Sequence, residues 1–346
     1  MTKSIRKEKI KKLLGTLFKK IKVRKEIYSP VIDGLIETSL RGVDSHGIRL
    51  APHYLEATLL GRINPDPQFE FSQTRASTMK IDADNTYGIT VSTIGMNKAV
   101  KMARKTGVGV VSIYNSSHFG AAGIYGQIAA ENDMIGFSMT HVEDLVAPYG
   151  GTKPFFGTNA YCFTAPMADE RPFILDMATS AISFNMLRMH QSKIKALKLG
   201  LAIDKHGKFT INPNEAVTLT PFGGYKGYGI QAQVEILCSM LTGMPFGPFI
   251  THMFPLTMEK RRLAHFLMAI DIEAFIDIKT FKKRMKEMAE IVRKMTPSEG
   301  FSEVRLAGDR SKREYIKRLK EGIPITKETI DDFQRVAPKI GLEINL

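Results

Sequence analysis

Between Phe69 and Thr140 β-branched runs alternate with runs of helical period, and this alternation constrains the fold more than any other feature. Met79–Ile81 reads as a strand. Residues 91–106 read as a helix carrying Ile94, Met96, Val100 and Ala103. Val108–Tyr114 reads as a strand, 121–132 as a helix and Ile135–Thr140 as a strand. The expected class is α/β in the mixed, α+β sense. A parallel dinucleotide-binding sheet would show Gly-x-Gly-x-x-Gly where a strand opens into a helix. Gly107-Val108-Gly109 and Gly223-Gly224-Tyr225-Lys226-Gly227 have the wrong spacing, and no phosphate-binding Gly-x-x-x-x-Gly-Lys-Ser/Thr loop occurs.

The flanks are helical. Ile10, Leu13, Leu14, Leu17, Phe18 and Ile21 recur at three and four. A second helix is expected to start at the cap-like Ser29-Pro30 and to end near Arg41-Gly42. A third begins near His53 and is broken by Asn64-Pro65-Asp66-Pro67. Residues 151–180 read as loops and short strands, and 228–242 as a buried helix. In 278–295 Phe281, Met285, Met288, Ile291, Val292 and Met295 mark an amphipathic helix. The tail, 310–342, reads as two helices parted near Gly322-Ile323-Pro324.

A length of 346 residues suits two domains. The charge of +14 raises nucleic-acid binding as a hypothesis. Its excess lies mainly in 3–25 and 259–320, on helical stretches without interleaved aromatics, so solvated helix faces are the simpler reading and no nucleic-acid partner is expected. No run is long and apolar enough for a membrane helix, and the charged N-terminus lacks the apolar core of a secretory signal. Cys162 and Cys238 are too few for a disulfide scaffold or a cysteine-based zinc site. No metal, no membrane partner and a cytoplasmic location are the expectations.

Two histidines sit in small-residue turns: Asp44-Ser45-His46-Gly47 and Asn115-Ser116-Ser117-His118-Phe119-Gly120. Imidazole exchanges protons near neutrality, so either can serve as an acid or base; an ordinary hydrogen-bonded loop histidine is the plainer alternative. Glycine-bearing loops at 147–151, 156–159, 176–180 and 225–229 allow close backbone approach to a ligand, or are simply tight turns. Lys226 between glycines could meet a pyrophosphate.

Taken in order, these segments resemble the malate/L-lactate dehydrogenase family, which also holds ureidoglycolate dehydrogenase, L-sulfolactate dehydrogenase, diketogulonate reductase and piperideine-2-carboxylate reductase. The likeness runs over Leu40–Ile48, Asn115–Gly123, Val146–Gly151, Gly157–Asn159, Leu175–Ser180 and Gly224–Gly229, then Ala264-His265-Phe266 and Ile270–Phe275. It implies a non-Rossmann NAD or NADP fold of the L-sulfolactate/malate dehydrogenase type. A helical domain would be made of both termini, 1–70 plus 300–346, with a nucleotide- and substrate-binding α/β domain over 71–299. It implies a homodimer acting on small 2-hydroxy or 2-oxo acids by hydride transfer. By resemblance His46 and His118 are the acid/base candidates, His46 favoured, and Ser45, Arg49, Thr158 and Asn159 fall at the substrate. Thr140, His141, Val142, Asp176, Met177, Ala178, Thr179, Ser180, Lys226, Ala307, Gly308 and Asp309 fall at the cofactor.

The chain departs from the family pattern at several points. Leu50 stands where many members have an arginine, with Arg49 one residue earlier. Val142 replaces a serine, Asn185-Met186 replace Gly-Lys, and Trp is absent. They motivate an alternative reading: a non-catalytic or altered-specificity paralogue, such as a cyclic imino-acid reductase, on the same scaffold.

Overall fold

The computed structural model describes residues 2–192 and 194–344. In chain order the elements are β1 (Thr2–Ile5), α1 (Lys7–Lys20), α2 (Lys25–Leu40), α3 (Ala51–Leu59), β2 (Glu70–Arg75), β3 (Thr78–Asp82), α4 (Gly88–Thr106) and β4 (Val108–Ser116). There follow α5 (Gly123–Glu131), β5 (Met134–Thr140), β6 (Ala160–Ala165), β7 (Phe173–Met177), α6 (Phe184–Ser192), β8 (Ala202–Ile203), β9 (Thr218–Leu219) and α7 (Tyr225–Glu235). The chain closes with β10 (Leu263–Asp271), α8 (Ile278–Arg293), α9 (Asp309–Glu321), β11 (Ile323–Thr326) and α10 (Lys327–Val336).

The main sheet has seven strands in the order β2-β3-β4-β10-β5-β6-β7. Only β3 and β4 run parallel; every other neighbouring pair is antiparallel. The sheet is thus not the doubly wound parallel kind, in keeping with the absent glycine fingerprint. β10 comes late in the chain yet lies at the centre, between β4 and β5. Its side chains alternate: Leu267 and Ala269 enter the cluster under α4 and α5, whereas Ala264 and Phe266 pack with Met139, Val234 and Cys238 behind α7. Gly109 lets α4 lie close on β4, because a Cβ there would come 2.0 Å from the Ala99 carbonyl oxygen.

A second hydrophobic cluster draws on both ends of the chain. It joins Ile10, Leu14, Phe18 and Leu35 near the start to Ile323, Phe333 and Val336 near the end. β1 and β11 pair antiparallel across it, which neither segment's pattern announces.

Two local expectations are corrected. The second helix starts at Lys25, not at Ser29-Pro30, and Pro30 lies inside it. Ile27 and Tyr28 are buried, Tyr28 stacking on Phe18 with ring centres 6.0 Å apart. That packing carries the helix backwards through a proline which costs it one early hydrogen bond. The expected buried helix at 228–242 begins at Tyr225, passes into a π-turn over Ile236–Met240, and buries one face only. Ile236, Met240 and Leu241 are more than half exposed.

Candidate active site

One large cleft, about 610 Å³, opens where the loop after α2, the end of β4, the end of β7, the loop before β10 and the segment before α9 converge. That is the size range of cofactor and substrate sites. His46 and His118 both line it, their rings stacked with centres 5.7 Å apart.

His46 arrives by a short route. α2 stops at Arg41, Gly42 takes φ +75°, and one 3₁₀ turn, Asp44–His46, follows. Asp44 is gripped by Arg318 of α9, Nη1 at 2.5 Å and Nη2 at 3.0 Å. Ser39 Oγ accepts the Ile48 N–H at 2.9 Å on the far side of the turn. Ser45 Oγ lies 2.9 Å from His46 Nδ1. Burial pushes the His46 imidazole below its ordinary pKa; the Asp176 carboxylate opposes this and Arg49 reinforces it.

His118 hangs from the end of β4. Asn115 turns the chain with φ +49°, a conformation asparagine tolerates, and its Nδ2 donates to Asp82 Oδ2 at 2.9 Å. Ser117 Oγ donates to the Thr86 carbonyl at 2.8 Å. Tyr54 Oη lies 2.8 Å from His118 Nδ1. Burial drives the Tyr54 phenol well above its ordinary range, so the hydroxyl stays protonated and donates. His118 Nδ1 is then the acceptor, and the ring proton sits on Nε2. Burial, then the charges of His46 and Arg261, push His118 well below the usual histidine value. That shift favours the neutral ring.

Asp176 stands at the end of β7, where its Oδ2 accepts the Gly123 N–H at 2.8 Å and lies 3.8 Å from Arg41 Nη2. A Cβ at Gly123 would fall 2.6 Å from both groups, so only glycine leaves room for the pair. Arg41 is 3 % exposed, and its Nε and Nη1 have no partner among the described residues.

The expected site residues divide into two groups. Ser45, Arg49, Val142, Thr158, Asp176, Met177, Ala178, Ala307 and Gly308 join the two histidines on the cleft wall. The others lie elsewhere. Asn159 is fully buried and donates to Glu235 Oε2 at 2.8 Å and to the Gln231 carbonyl at 3.2 Å. His141 is buried beside Glu235, with Nδ1 3.3 Å from Oε1, and its Nε2 accepts the Ala264 N–H at 2.9 Å. Thr140 Oγ1 is 2.8 Å from His265 Nδ1. Thr179 Oγ1 donates to the Asn159 carbonyl and Ser180 Oγ to the Ile182 carbonyl. Asp309 is buried against Arg293. Lys226 is exposed at the start of α7, its Nζ 5.9 Å from the Tyr225 ring centre. Each of these polar groups except Lys226 meets its hydrogen-bonding needs inside the fold, which is what a buried polar group requires.

The residues that sequence reasoning missed are arginines. Arg41, Arg49, Arg188, Arg261, Arg305 and Arg310 line the cleft against two carboxylates, Glu143 and Asp176. Of these only Arg49 carried an expectation. Arg261 falls in a basic run that reads as a solvated face, yet it is 4 % exposed. No local pattern marks it, because its burial comes from chain far away in sequence. A wall so charged suits an anionic ligand. The buried Arg41 nitrogens without partners among the described residues also fit a group bearing phosphates.

Comparison with known proteins agrees with this picture. The malate/L-lactate dehydrogenase family matches residues 5–334. The malate dehydrogenase of Pyrococcus abyssi is 36% identical over 323 residues, covering 90% of this chain and 88% of that one. The NAD(+) ureidoglycolate dehydrogenase of Escherichia coli K12 is 29% identical and covers 95% and 93%. The crystal structure of malate dehydrogenase from Entamoeba histolytica superposes with a TM-score of 0.93 at 29% identity, covering 100% of both chains. No described helix is long and apolar enough to cross a membrane. The chain therefore belongs to the malate/L-lactate dehydrogenase family, as an oxidoreductase of hydroxy acids.

Proposed function

We propose that this protein interconverts a small 2-hydroxy acid and its 2-oxo acid with NAD or NADP, using His46 as acid and base. The observation that carries the reading is the stacked pair His46–His118 in an arginine-lined cleft. Asp176, Met177, Ala178, Ala307, Gly308 and Val142 are the wall residues that would hold the cofactor. When bound, the nicotinamide ring supplies or accepts hydride at the substrate's C2.

The chain's own groups do the rest. In oxidation, neutral His46 takes the proton of the C2 hydroxyl; in reduction its imidazolium returns that proton to the carbonyl oxygen. His118, neutral with its proton on Nε2, donates a hydrogen bond to the same oxygen and steadies the charge that develops there. Two imidazolium rings at 5.7 Å repel, so the pair carries one positive charge at most, and Asp176 favours placing it on His46. The division of labour has a physical basis: one ring beside a carboxylate, the other locked neutral by a phenol.

The reading treats 1–70 with 300–346 as the helical part and 71–299 as the part that binds nucleotide and substrate. It includes a homodimer, for which the exposed Ile236, Met240, Leu241 and Phe249 offer an apolar surface. Light scattering of the purified chain measures that assembly. Fluorescence titration with NADH and NADPH, followed by a panel of 2-oxo acids with the preferred nucleotide, tests the activity. Saturable nucleotide binding with turnover of at least one 2-oxo acid is expected. Binding without any turnover would favour a non-catalytic paralogue, and turnover of cyclic imino acids alone would move the substrate class.

A further inference from the structure

Arg261 lines the cleft, yet the acid/base chemistry leaves it unused. It stands two residues before β10 and its guanidinium is held on two sides. Nε donates to the Thr251 carbonyl at 3.1 Å, and Nη2 is ion-paired to Glu143. Glu143 is fixed in turn, accepting the Met253 N–H at 2.9 Å. Burial pushes the Glu143 carboxyl up, but Arg261 and that N–H outweigh it, so the carboxylate is held below its usual range. The guanidinium therefore cannot swing out to water. Its Nη1 is buried and has no partner among the described residues. A buried cationic donor without an acceptor is costly, and a ligand that brings an acceptor relieves that cost.

The other arginines of the cleft are placed differently. Arg49 and Arg310 are exposed, Arg188 lies over the Phe184 and Phe254 rings, and Arg305 is paired with Glu303. Arg41 has free donors too but faces the Asp176 carboxylate at 3.8 Å. Arg261 stands on the His118 side: its charge is among those that depress His118 and the neighbouring His53.

We propose that Arg261 Nη1 holds the C1 carboxylate of the substrate, fixing the acid so that its C2 lies between His46 and His118. The inference rests on the oxidoreductase reading above. It makes Arg261 a determinant of specificity. A neutral amide or ester in place of the carboxylate would leave the cation unmatched, which is how a site built for a charged partner rejects its uncharged analogue.

The test is the double variant R261M/E143Q, which removes the pair without stranding a buried charge, beside R261K. KM and kcat are measured for oxaloacetate or pyruvate, whichever the wild type reduces, together with nucleotide affinity by fluorescence and a thermal melt. The double variant is expected to raise KM about 30- to 100-fold, the weight of a charge-assisted hydrogen bond. Nucleotide affinity should stay within about twofold of wild type, and added guanidinium should recover part of the loss. A KM within about twofold of wild type overturns the proposal, as does a loss of nucleotide affinity as large as the rise in KM, which would put a phosphate on Arg261. If the double variant melts below assay temperature, R261K decides: a KM raised about tenfold supports the anchor and an unchanged KM removes it. A wild type that binds no nucleotide and reduces no 2-oxo acid defeats the activity reading itself, and that outcome is seen before any variant is made.

Discussion

Among the histidines gathered around the cleft, His141 and His265 are placed differently from His46 and His118. His141 and His265 spend both ring nitrogens inside the fold: His141 on Glu235 and the Ala264 N–H, His265 on Thr140 Oγ1 and Ser116 Oγ, each at 2.8 Å. His46 and His118 each spend one nitrogen, Nδ1, on Ser45 and on Tyr54 respectively, and turn the rest of the ring to the cleft. Residue type and sequence neighbourhood do not separate the pairs. The count of unspent nitrogens does. An imidazole with both nitrogens bonded is a strut, and one with a nitrogen free can exchange a proton.

The sharpest way to break this comparison is to remove a ring from each class. H46A should lower kcat by about 10³-fold, within the range of a lost acid/base group, while leaving the melting temperature nearly unchanged. Steady-state kinetics beside a thermal melt checks it. Wild-type turnover in H46A would shift the proton transfer to His118 or to neither.

H141L should do the reverse. It strips one donor from Glu235, a buried carboxylate otherwise held by Asn159 Nδ2 and the Gly247 N–H, at 2.8 and 3.1 Å. Losing one hydrogen bond to a buried charged group costs about 1.5–3 kcal/mol, so denaturant midpoints should fall. Activity per folded molecule should survive. If H141L folds normally but loses nucleotide affinity, His141 reaches the cofactor after all.

Legibility follows the same division. Strands β3, β4 and β5 and helices α4 and α5 are announced locally, the strands by short β-branched or apolar runs and the helices by apolar period. The two cleft histidines are visible in their small-residue turns. What stays hidden depends on distant chain. β10 reads as an apolar stretch whose central place in the sheet only its pairing with β4 and β5 reveals. Pro30 reads as a start signal because the burial of Ile27 and Tyr28 is not local information. Arg261 reads as surface charge within a basic run, and nothing local singles out Arg62. In the fold both are buried, Arg62 donating to the carbonyls of His252, Met253 and Glu259 and so shaping the loop that walls the cleft. Asn159 and His141 show why a motif can match in sequence and still leave open which of its members touch a ligand: motif residues also build the wall that others stand on.

The burial of His265 and of His53 also predicts a pH response. Burial, with His141 next, lowers the pKa of His265 to about 3, and burial with Arg261 and Arg62 lowers that of His53 to about 4. In the unfolded chain both titrate near 6.5. Above that value neither state is protonated and the full stability is present. As pH falls below 6.5 the unfolded chain binds protons that the folded one refuses, so stability drops, for His53 until about pH 4 and for His265 until about pH 3. Urea midpoints at pH 7.5, 6 and 5 measure the slope, and H265N should flatten it. A slope unchanged in H265N would mean that His265 takes up a proton in the fold and is no strut.

The smallest effect probes the boundary between the two classes, the single contact that keeps His118 on the cleft side of it. Y54F removes the hydroxyl that donates to Nδ1 and nothing else of the ring packing with Tyr87. The net loss in stability is about 1 kcal/mol, that of one buried hydrogen bond. The chemical loss has a distinct signature. Without the phenol, only the Gly120 N–H at 3.4 Å remains to hold Nδ1 as an acceptor, so the ring proton redistributes between the two nitrogens and part of the population presents a bare Nε2 to the substrate oxygen. kcat should fall roughly tenfold with little change in KM, because the bond in question strengthens as charge builds on that oxygen. A structural slackening would instead raise KM together with the fall in kcat. The pH profile separates the two further: on the proposed acid/base role of His46, the apparent pKa of kcat should stay where it is in the wild type even as the plateau drops.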